Sequence, residues 1–297
     1  MGLTNFILTV AGVGAVVMLL KGDVKQSATV LRRNVKHIRN WLEEESSAAS
    51  KLRFRRTTKH SVISCDYSCL EVRDICYRPP GTELNILNGV NLSLREKSFG
   101  LIFGKSGSGK TTLLQLLAGL NKPTSGSICI QRYGDDGQPN ADSELLPTEK
   151  VGIVFQFPER FFVADNVLDE ITFGWPRQKG SLQLKERLTS NLQRAFNWVG
   201  LDSIPLDKDP QLLSGGYKRR LALAIQLVQT PELLILDEPL AGLDWKARAD
   251  VAKLLKHLKK ELTLLVVSHD LRELATLVDQ SWRMESGGVL VAERPPV

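Results

Sequence analysis

The chain has 297 residues, 42% of them hydrophobic, and is long enough to bury the core of one large domain or two modest ones. Its formal net charge of +6 comes from residues 1–64, which hold 11 basic and 4 acidic side chains, whereas residues 65–297 hold 28 basic and 29 acidic ones. A nearly neutral domain lacks the basic excess of a nucleic-acid-binding domain, so no nucleic acid is expected as a partner.

The four cysteines predict neither a metal site nor a disulfide framework. Cys65, Cys69, Cys76 and Cys129 show no paired CxxC spacing and no accompanying histidine pattern. Reduced thiols in an intracellular compartment are therefore the expectation.

The N-terminal segment contains an apolar stretch, residues 3–20, with no charge over 18 residues. As a helix it would reach ~27 Å, just short of a ~30 Å hydrocarbon core. A membrane anchor, a cleaved targeting sequence and an apolar helix that packs on protein are the three interpretations. The basic residues that follow, from Lys21 to Arg39, favour the anchor and would keep the main domain on the side of synthesis.

Residues 51–64 contain several arginines and no acidic side chain, as in part of an organelle transit peptide. Glu43, Glu44 and Glu45 lie between this segment and the apolar stretch and argue against one continuous transit peptide. A flexible charged linker is the alternative. We predict an apolar anchor or targeting segment plus a basic linker over residues 1–64, and the folded domain over residues 65–297.

The folded domain begins with strand patterns. CLEVRDICY, residues 69–77, alternates as a strand does, and PPG at residues 79–81 predicts a turn. Residues 86–103 predict further strands that run into Gly104.

The stretch GKSGSGKT, residues 104–111, fits the pattern GxxxxGK[ST] between the apolar LIF and the helix-like TLLQLLAGL. Such a loop surrounds phosphate oxygens with backbone N–H groups at a helix N-terminus. Lys110 is expected to reach the β- and γ-phosphates, and the Thr111 hydroxyl to ligate Mg²⁺. The predicted nucleotide-binding residues of the loop are Gly104, Lys105, Ser106, Gly107, Ser108, Gly109, Lys110, Thr111 and Thr112.

LLILDEP, residues 233–239, predicts a buried parallel strand that delivers Asp237 and Glu238 at its end. Ligands of α/β sheets bind at the C-terminal ends of strands, so Asp237 is expected to hold Mg²⁺ through water and Glu238 to polarise an attacking water. A second buried strand, LTLLVVSHD, ends at His269, a candidate γ-phosphate contact. A lone histidine is more often structural, and that alternative stays open.

Five ordered motifs resemble those of the ATP-binding subunits of ABC transporters. They are the loop at residues 104–111, LLSGGYKRR, LLILDEP, LAGLD and VSHD, and the resemblance covers about residues 69–291. It implies a signature loop in which Ser214 and the backbone of Gly215 and Gly216 touch the γ-phosphate of ATP held by a second chain. Two chains are then expected to enclose two ATP molecules in an isologous contact.

The same resemblance assigns further residues by motif position. Tyr77 is expected to stack on adenine, with a core or edge-strand tyrosine as the alternative. Gln156, in VGIVFQFPE, matches the glutamine that senses Mg²⁺ and the attacking water and faces the membrane partner. Asp244, in AGLD, matches the aspartate that lies across the dimer. Tyr217 departs from the usual glutamine, but the motif's serine and glycines and the catalytic glutamate, Glu238, are present, so an active enzyme with an altered signature loop is expected.

The stretch FQFPERFFVADNVLDEITFG, residues 155–174, is similar to the energy-coupling-factor and cobalt-type ATPases of vitamin and metal-ion importers, although Arg160 departs from a glutamine-containing variant common in that group. The whole domain also resembles the plastid non-intrinsic ABC proteins of plants, which are encoded apart from their membrane subunits. The implied location is the chloroplast, associated with a membrane and facing the stroma. The cytoplasmic face of a membrane is the alternative.

The implied protein is an ATPase that uses ATP and Mg²⁺. Its expected fold is an α/β P-loop NTPase core of the ABC type with an antiparallel β subdomain, a helical subdomain at about residues 157–213, and the N-terminal apolar helix outside the domain. No other segment is long and apolar enough for a membrane domain, so the expected partners are a separate transmembrane subunit and a second ATPase chain, in a homodimer or heterodimer. A soluble ABC ATPase that drives assembly, of the iron–sulfur scaffold type, is the alternative function.

Overall fold

The computed structural model describes four stretches of the chain: residues 67–134, 138–139, 142–173 and 182–295. For residues 182–186 the description is limited to the backbone. The apolar stretch at residues 3–20 and the segment at residues 51–64 lie outside the described residues, so an anchor or a targeting sequence there stays a prediction. Within the described part, no helix has the length and apolarity needed to cross a membrane.

One layer of the fold is a four-stranded antiparallel sheet with the strand order β2-β1-β4-β5. Leu70 and Val72 of β1 lie opposite Leu94 and Leu92 of β2, and all four side chains are buried on one face. β1 covers residues 67–77 and so confirms the strand predicted at residues 69–77, although its residues 69–72 are all buried and do not alternate with exposed ones. The strands are β1 (Tyr67–Tyr77), β2 (Leu87–Arg95), β4 (Ser125–Tyr133) and β5 (Glu144–Leu145).

The second layer is a six-stranded sheet with the order β10-β9-β3-β8-β7-β6, in which every pair is parallel except β9 and β10. Every residue of β7 and β8 is buried, as expected of parallel strands covered on both faces. The C-terminal ends of β3, β7 and β8 therefore meet at one edge. The strands are β3 (Phe99–Gly104), β6 (Val151–Val154), β7 (Leu233–Asp237), β8 (Thr263–Val267), β9 (Gln280–Met284) and β10 (Leu290–Ala292).

Helices cover the parallel sheet and cluster between β6 and β7. Over residues 157–213, where a helical subdomain is predicted, the described residues form helices and 3₁₀ turns without a strand. The bounds of that subdomain stay a prediction. The helices are α1 (Lys110–Leu117), α2 (Val167–Ile171), α3 (Leu182–Val199), α4 (Gly215–Val228), α5 (Trp245–Leu258) and α6 (Leu271–Leu274), with 3₁₀ turns at Thr148–Lys150, Pro158–Phe161, Pro210–Leu212 and Ala275–Leu277.

Two apolar clusters form the core, one on each face of the parallel sheet. Along β8, Leu264 and Val266 belong to the cluster that α3, α4 and α5 cover, whereas Leu265 and Val267 belong to the cluster shared with α1 and the antiparallel sheet. Burial on both faces holds β7 and β8 in place, so the loops at their C-terminal ends extend from a rigid base. The mixed α/β organisation predicted from the sequence is confirmed.

Candidate nucleotide-binding site

The loop between β3 and α1 turns at two glycines that no other residue could replace without strain. Gly104 has a φ of 144°, and a Cβ there would overlap the Met284 carbonyl oxygen. Gly109 precedes α1 with a φ of 103°, and a Cβ there would lie 2.9 Å from the Leu87 side chain. In the described part no side chain caps α1, so its first backbone N–H groups can meet an anion.

Lys110 folds back into this loop. Its Nζ donates to the carbonyl oxygens of Gly104 at 2.8 Å and of Lys105 at 2.7 Å, and the side chain is buried. Burial lowers the pKa of Lys110, and the Glu238 and Asp237 carboxylates oppose that decrease. The loop thus holds a positive charge at the place where it could neutralise phosphate oxygens.

Thr111 and Asp237 join the start of α1 to the end of β7. Thr111 Oγ1 donates to Asp237 Oδ2 at 3.1 Å. Burial raises the pKa of Asp237, while the hydrogen bond from Thr111 and the charge of Lys110 act in the opposite direction. Hydroxyl and carboxylate oxygens suit Mg²⁺, so these side chains fit the predicted metal. In the part of the chain that the structure describes, no group of three or more His, Cys, Asp or Glu could hold a metal, so an ion here would also need ligand or water oxygens.

Glu238 is held at its backbone and at one carboxylate oxygen. Its φ of 49° is unusual for a residue with a Cβ, and its N–H donates to the Val267 carbonyl at 2.8 Å. Oε2 accepts from Ser268 Oγ at 3.2 Å and from the His269 N–H at 3.1 Å. Oε1 lies 3.3 Å from His269 Nε2, but outside hydrogen-bond geometry, and has no other partner among the described residues.

Burial also raises the pKa of Glu238, against the effect of the His269 backbone hydrogen bond. A carboxylate whose pKa is raised is a stronger base, and its unpaired oxygen can accept a proton from water. The geometry therefore suits Glu238 to polarise a water molecule.

The strand ends and the loop line one cavity of about 410 Å³. Gln156, which follows β6, reaches the same cavity as Lys110 and Glu238. Ser108 is buried in the loop and is not part of the cavity wall, and its Oγ has no hydrogen-bond partner in the described structure. The cavity wall consists of Ile86, Ser106, Gly107, Gly109, Lys110, Thr111, Thr112, Gln156, Asp237, Glu238, Val267 and His269.

The adenine prediction for Tyr77 is not decided by this cavity, because Tyr77 is not part of its wall. Tyr77 ends β1 and packs partly buried on the core cluster shared with α1. Its carbonyl accepts from the Ile86 N–H at 2.8 Å, and Ile86 does line the cavity. Stacking of Tyr77 on adenine stays a prediction.

The predicted signature residues lie elsewhere in the chain. Ser214 is exposed and precedes α4, and no side-chain cap is made there in the described part. A Cβ on Gly216 would lie 3.2 Å from the Ala247 Cβ, so the start of α4 packs against the start of α5. Asp244 precedes α5, and its Oδ1 accepts from the Ala247 N–H at 2.8 Å. Ser214, Gly215, Gly216 and Asp244 are all absent from the cavity wall of their own chain.

The side chains at the two departures from the family pattern, Tyr217 and Arg160, each contact a neighbouring side chain. Tyr217 lies partly buried against the helical core cluster, with the Arg220 guanidinium 5.6 Å from its ring centroid. Arg160 lies 4.7 Å over the Phe157 ring. Neither side chain is in the cavity wall.

Three residues of the site were not predicted from the sequence. Ile86 and Val267 line the cavity, and Ser268 binds Glu238 Oε2. Ser268 belongs to the VSHD motif and could have been found there, whereas Ile86 lies in the loop just before β2 and carries no local signal. Another groove, of about 340 Å³, lies at the first residues of β7 and β8, Leu233 and Thr263, and contains none of the predicted site residues.

A glycine-rich loop between a strand and a helix, facing a strand-end aspartate on a mainly parallel sheet, defines a P-loop nucleoside triphosphatase. The family model described as ABC transporter matches residues 87–241. The chain belongs to the ABC transporter family, as an ATP-binding subunit with ATPase activity.

Named relatives support the same assignment. The chain is 94% identical over 246 residues to the chloroplastic ABC transporter I family member 11 of Arabidopsis thaliana, with 83% of this chain and 88% of that protein covered. It is 41% identical over 212 residues to the energy-coupling factor transporter ATP-binding protein EcfA2 of Clostridium acetobutylicum, with 69% and 72% covered. The solved structure of CbiO1 from Clostridium perfringens, part of the ABC transporter complex CbiONQ, matches with a TM-score of 0.63 and 29% identity, covering 76% of this chain and 88% of that one.

These findings confirm the predicted resemblance to energy-coupling-factor and cobalt-type ATPases, the predicted resemblance to plant ABC proteins and the ABC ATPase fold. All three relatives are transporter proteins by name, so they favour the transporter prediction over the assembly alternative.

Proposed function

We propose that two ATPase chains, this one and a second, enclose Mg²⁺ and ATP and power a separate membrane transporter of the energy-coupling type in the chloroplast. The observation that supports this most is the division of the predicted site. One chain places the phosphate loop, Gln156, Glu238 and His269 around a cavity, while Ser214 lies outside it. A second chain can supply the missing signature loop.

The loop and the start of α1 bind ATP. Lys110 exchanges its two loop carbonyls for the β- and γ-phosphates, and the backbone N–H groups at Gly109 and Lys110 surround the phosphate oxygens. Thr111, Asp237 and Gln156 would hold Mg²⁺, which when bound neutralises charge on the phosphates.

Hydrolysis depends on Glu238. Ser268 and the His269 N–H hold Oε2 and fix the orientation of the carboxylate, and the unpaired Oε1 would accept a proton from the attacking water. His269 Nε2 lies beside the same carboxylate and contacts the γ-phosphate. Ser214 and the N–H groups of Gly215 and Gly216 complete the site of the other chain, and Asp244 lies across the contact.

An exposed apolar surface beside Gln156 supports docking of a membrane subunit. Phe161 and Val163 are 59% and 66% exposed and lie five and seven positions after Gln156. The Phe161 ring lies 5.2 Å from that of Phe155, the residue before Gln156. Exposed apolar groups close to one another are typical of protein interfaces, so the membrane subunit would contact the segment that also carries Gln156.

The proposed location rests on the name of the Arabidopsis relative, which is chloroplastic, and on the acid-free segment at residues 51–64. We place the ATPase domain in the stroma at a membrane. Residues 3–20 would add direct anchoring.

Co-purification tests this proposal. Tagged full-length chain from chloroplast membranes should retain a polytopic membrane protein, and Phe161→Asp should release it without loss of ATP binding. Leu145→Asp, which changes a still more exposed apolar residue on β5, is the control and should retain the partner. Recovery of a soluble scaffold in place of a membrane protein would contradict the transporter proposal.

A further inference from the structure

Arg219 of α4 is a buried arginine with no role in the site as described so far. The residue is 4% exposed and lies five positions after Ser214. Its Nη1 donates to the Phe155 carbonyl at 3.0 Å and its Nη2 to the Ala241 carbonyl at 3.2 Å. Nε is buried and has no hydrogen-bond partner within the described structure.

The two acceptors belong to two different functional loops. Phe155 directly precedes Gln156, which lines the cavity. Ala241 lies in the turn between β7 and Asp244, and its own N–H donates to the Glu238 carbonyl at 3.1 Å. One guanidinium therefore bridges the loop of Gln156, the turn that joins Glu238 to Asp244, and the helix that begins after Ser214.

Stability alone does not explain a charge at this place. Burial lowers the pKa of Arg219, and Glu159 opposes that decrease without forming an ion pair within 4.0 Å. A buried charge that meets two carbonyls and leaves one donor unpaired is costly, and an apolar side chain of similar size would avoid the cost. What an apolar side chain cannot do is hold two backbone segments at a set spacing, which the planar guanidinium does.

We propose that Arg219 is a positioning residue that sets the placement of Gln156 and of the Glu238–Asp244 turn relative to the signature helix. The inference rests on the proposed function, because these placements matter only if ATP is hydrolysed between two chains. It adds a physical link from the surface at Phe155 and Phe161, where the membrane subunit would dock, to the residues around the water and the second nucleotide.

Arg219→Lys tests the link while keeping the charge. A lysine has one nitrogen and cannot donate to both carbonyls in the same fork geometry. Misplacement of a catalytic group costs on the order of a hundredfold in rate, so kcat should fall about tenfold to hundredfold. The ATP dissociation constant, measured by calorimetry on the full chain, should stay unchanged because Lys110 and Thr111 are not touched.

Arg220→Lys is the matched control. Arg220 is the next residue on α4, but it donates to the Val199 carbonyl at 3.3 Å and pairs with Asp250 at 3.4 Å, away from both loops. Its substitution should leave kcat unchanged. Arg219→Gln, which keeps an N–H₂ donor without a buried charge, is the second variant if Arg219→Lys folds poorly, and it should show the same loss of kcat.

A double-mutant cycle with Gln156→Ala separates positioning from general destabilisation. If Arg219 acts partly through Gln156, Arg219→Lys should lower kcat by a smaller factor in the Gln156→Ala background than in the wild type, because only the effect through the Glu238–Asp244 turn remains. Unchanged kcat in folded Arg219 variants, or full multiplicative losses in the double variant, would overturn the inference alone. Unchanged hydrolysis in Gln156→Ala would instead overturn the proposed role of Gln156, and the inference with it.

Discussion

At the scale of the residue, Glu238 combines two features that a purely structural residue would avoid. Its φ of 49° is costly for a residue with a Cβ, and it persists because its N–H bonds the Val267 carbonyl. One carboxylate oxygen is held by Ser268 and His269, and the other is buried without a hydrogen bond among the described residues. A strained backbone and an unpaired buried oxygen in one residue are expected at a functional site.

Glu238→Gln should bind ATP normally but hydrolyse it about a hundredfold to ten-thousandfold more slowly, because the amide cannot take a proton from water. Single-turnover hydrolysis and calorimetry measure the two effects separately. Glu232→Gln is the control, since Glu232 pairs with Lys150 in the groove remote from the cavity. Normal turnover in Glu238→Gln would remove Glu238 from the proposed role.

Asp237→Asn should stabilise the nucleotide-free protein at neutral pH. Burial raises the folded-state pKa of Asp237 above its unfolded value, so the fold favours the protonated form, and stability falls as the pH rises through these two values. Asparagine stays neutral and can still accept from Thr111. The melting temperature of the variant should exceed that of the wild type at about pH 7, and the difference should shrink below about pH 4.

The same substitution should abolish the stabilisation that Mg²⁺ and ATP together give, because a neutral amide is a poor ligand for the ion. Melting curves with and without these additions decide the point. A lower melting temperature of Asp237→Asn without nucleotide would contradict the raised pKa.

At the scale of the element, the start of α4 and the turn before α5 form one surface. The glycines at the start of α4 permit this close packing. A Cβ added at Gly216 would lie 3.2 Å from the Ala247 Cβ, and one added at Gly215 would lie 3.4 Å from the Leu243 side chain. Asp244 has a structural task in this element, because it caps α5 through the Ala247 N–H. An experiment on its predicted role across the dimer must therefore distinguish that role from helix capping.

Asp244→Asn and Asp244→Ala distinguish the capping role of Asp244 from its predicted role across the dimer. Asparagine caps helices as well as aspartate, so Asp244→Asn should keep the free energy of unfolding, whereas Asp244→Ala should lose about 1 kcal/mol. Both should reduce ATP hydrolysis if the carboxylate acts across the two chains. Urea unfolding and ATPase assays on the same samples test this, and full activity in Asp244→Asn would assign the residue to capping alone.

At the scale of the whole molecule, the predicted site is divided between two places. The cavity holds Lys110 and Glu238, and the signature residues around Ser214 lie outside it. An isologous contact between two chains would bring each Ser214 to the other chain's nucleotide. Activity should then require two chains and rise more steeply than linearly with concentration while monomer predominates.

Mixing two inactive variants tests whether each ATP site is formed by residues of two chains. Ser214→Arg blocks closure on the partner's nucleotide but leaves Lys110 free to bind ATP, and Lys110→Ala removes the charge that neutralises phosphate. In a mixed dimer one site carries both changes and the other carries neither, so partial ATPase activity should return. If native mass spectrometry detects mixed dimers and no activity returns, the proposed arrangement fails.

Contiguous segments made the phosphate site predictable. The loop from Gly104 to Thr111 is expected to act through its own backbone and through Lys110, so the sequence pattern and the proposed chemistry lie in the same eight consecutive positions. Asp237, Glu238 and His269 were predictable for a related reason. Each follows a buried apolar run, and parallel strands place such residues at one edge of the sheet.

Contacts between distant segments were decided by the tertiary structure. The sequence alone predicted the phosphate loop and the strand-end carboxylates from local patterns, and the resemblance of its five motifs implied an ATP-binding ABC subunit. It could not place β3 between β8 and β9, bring Ile86 from the loop before β2 into the cavity wall, or bridge Phe155 and Ala241 with Arg219. Those contacts depend on strand order and on packing across both faces of the parallel sheet, which the whole core sets cooperatively and no short stretch encodes.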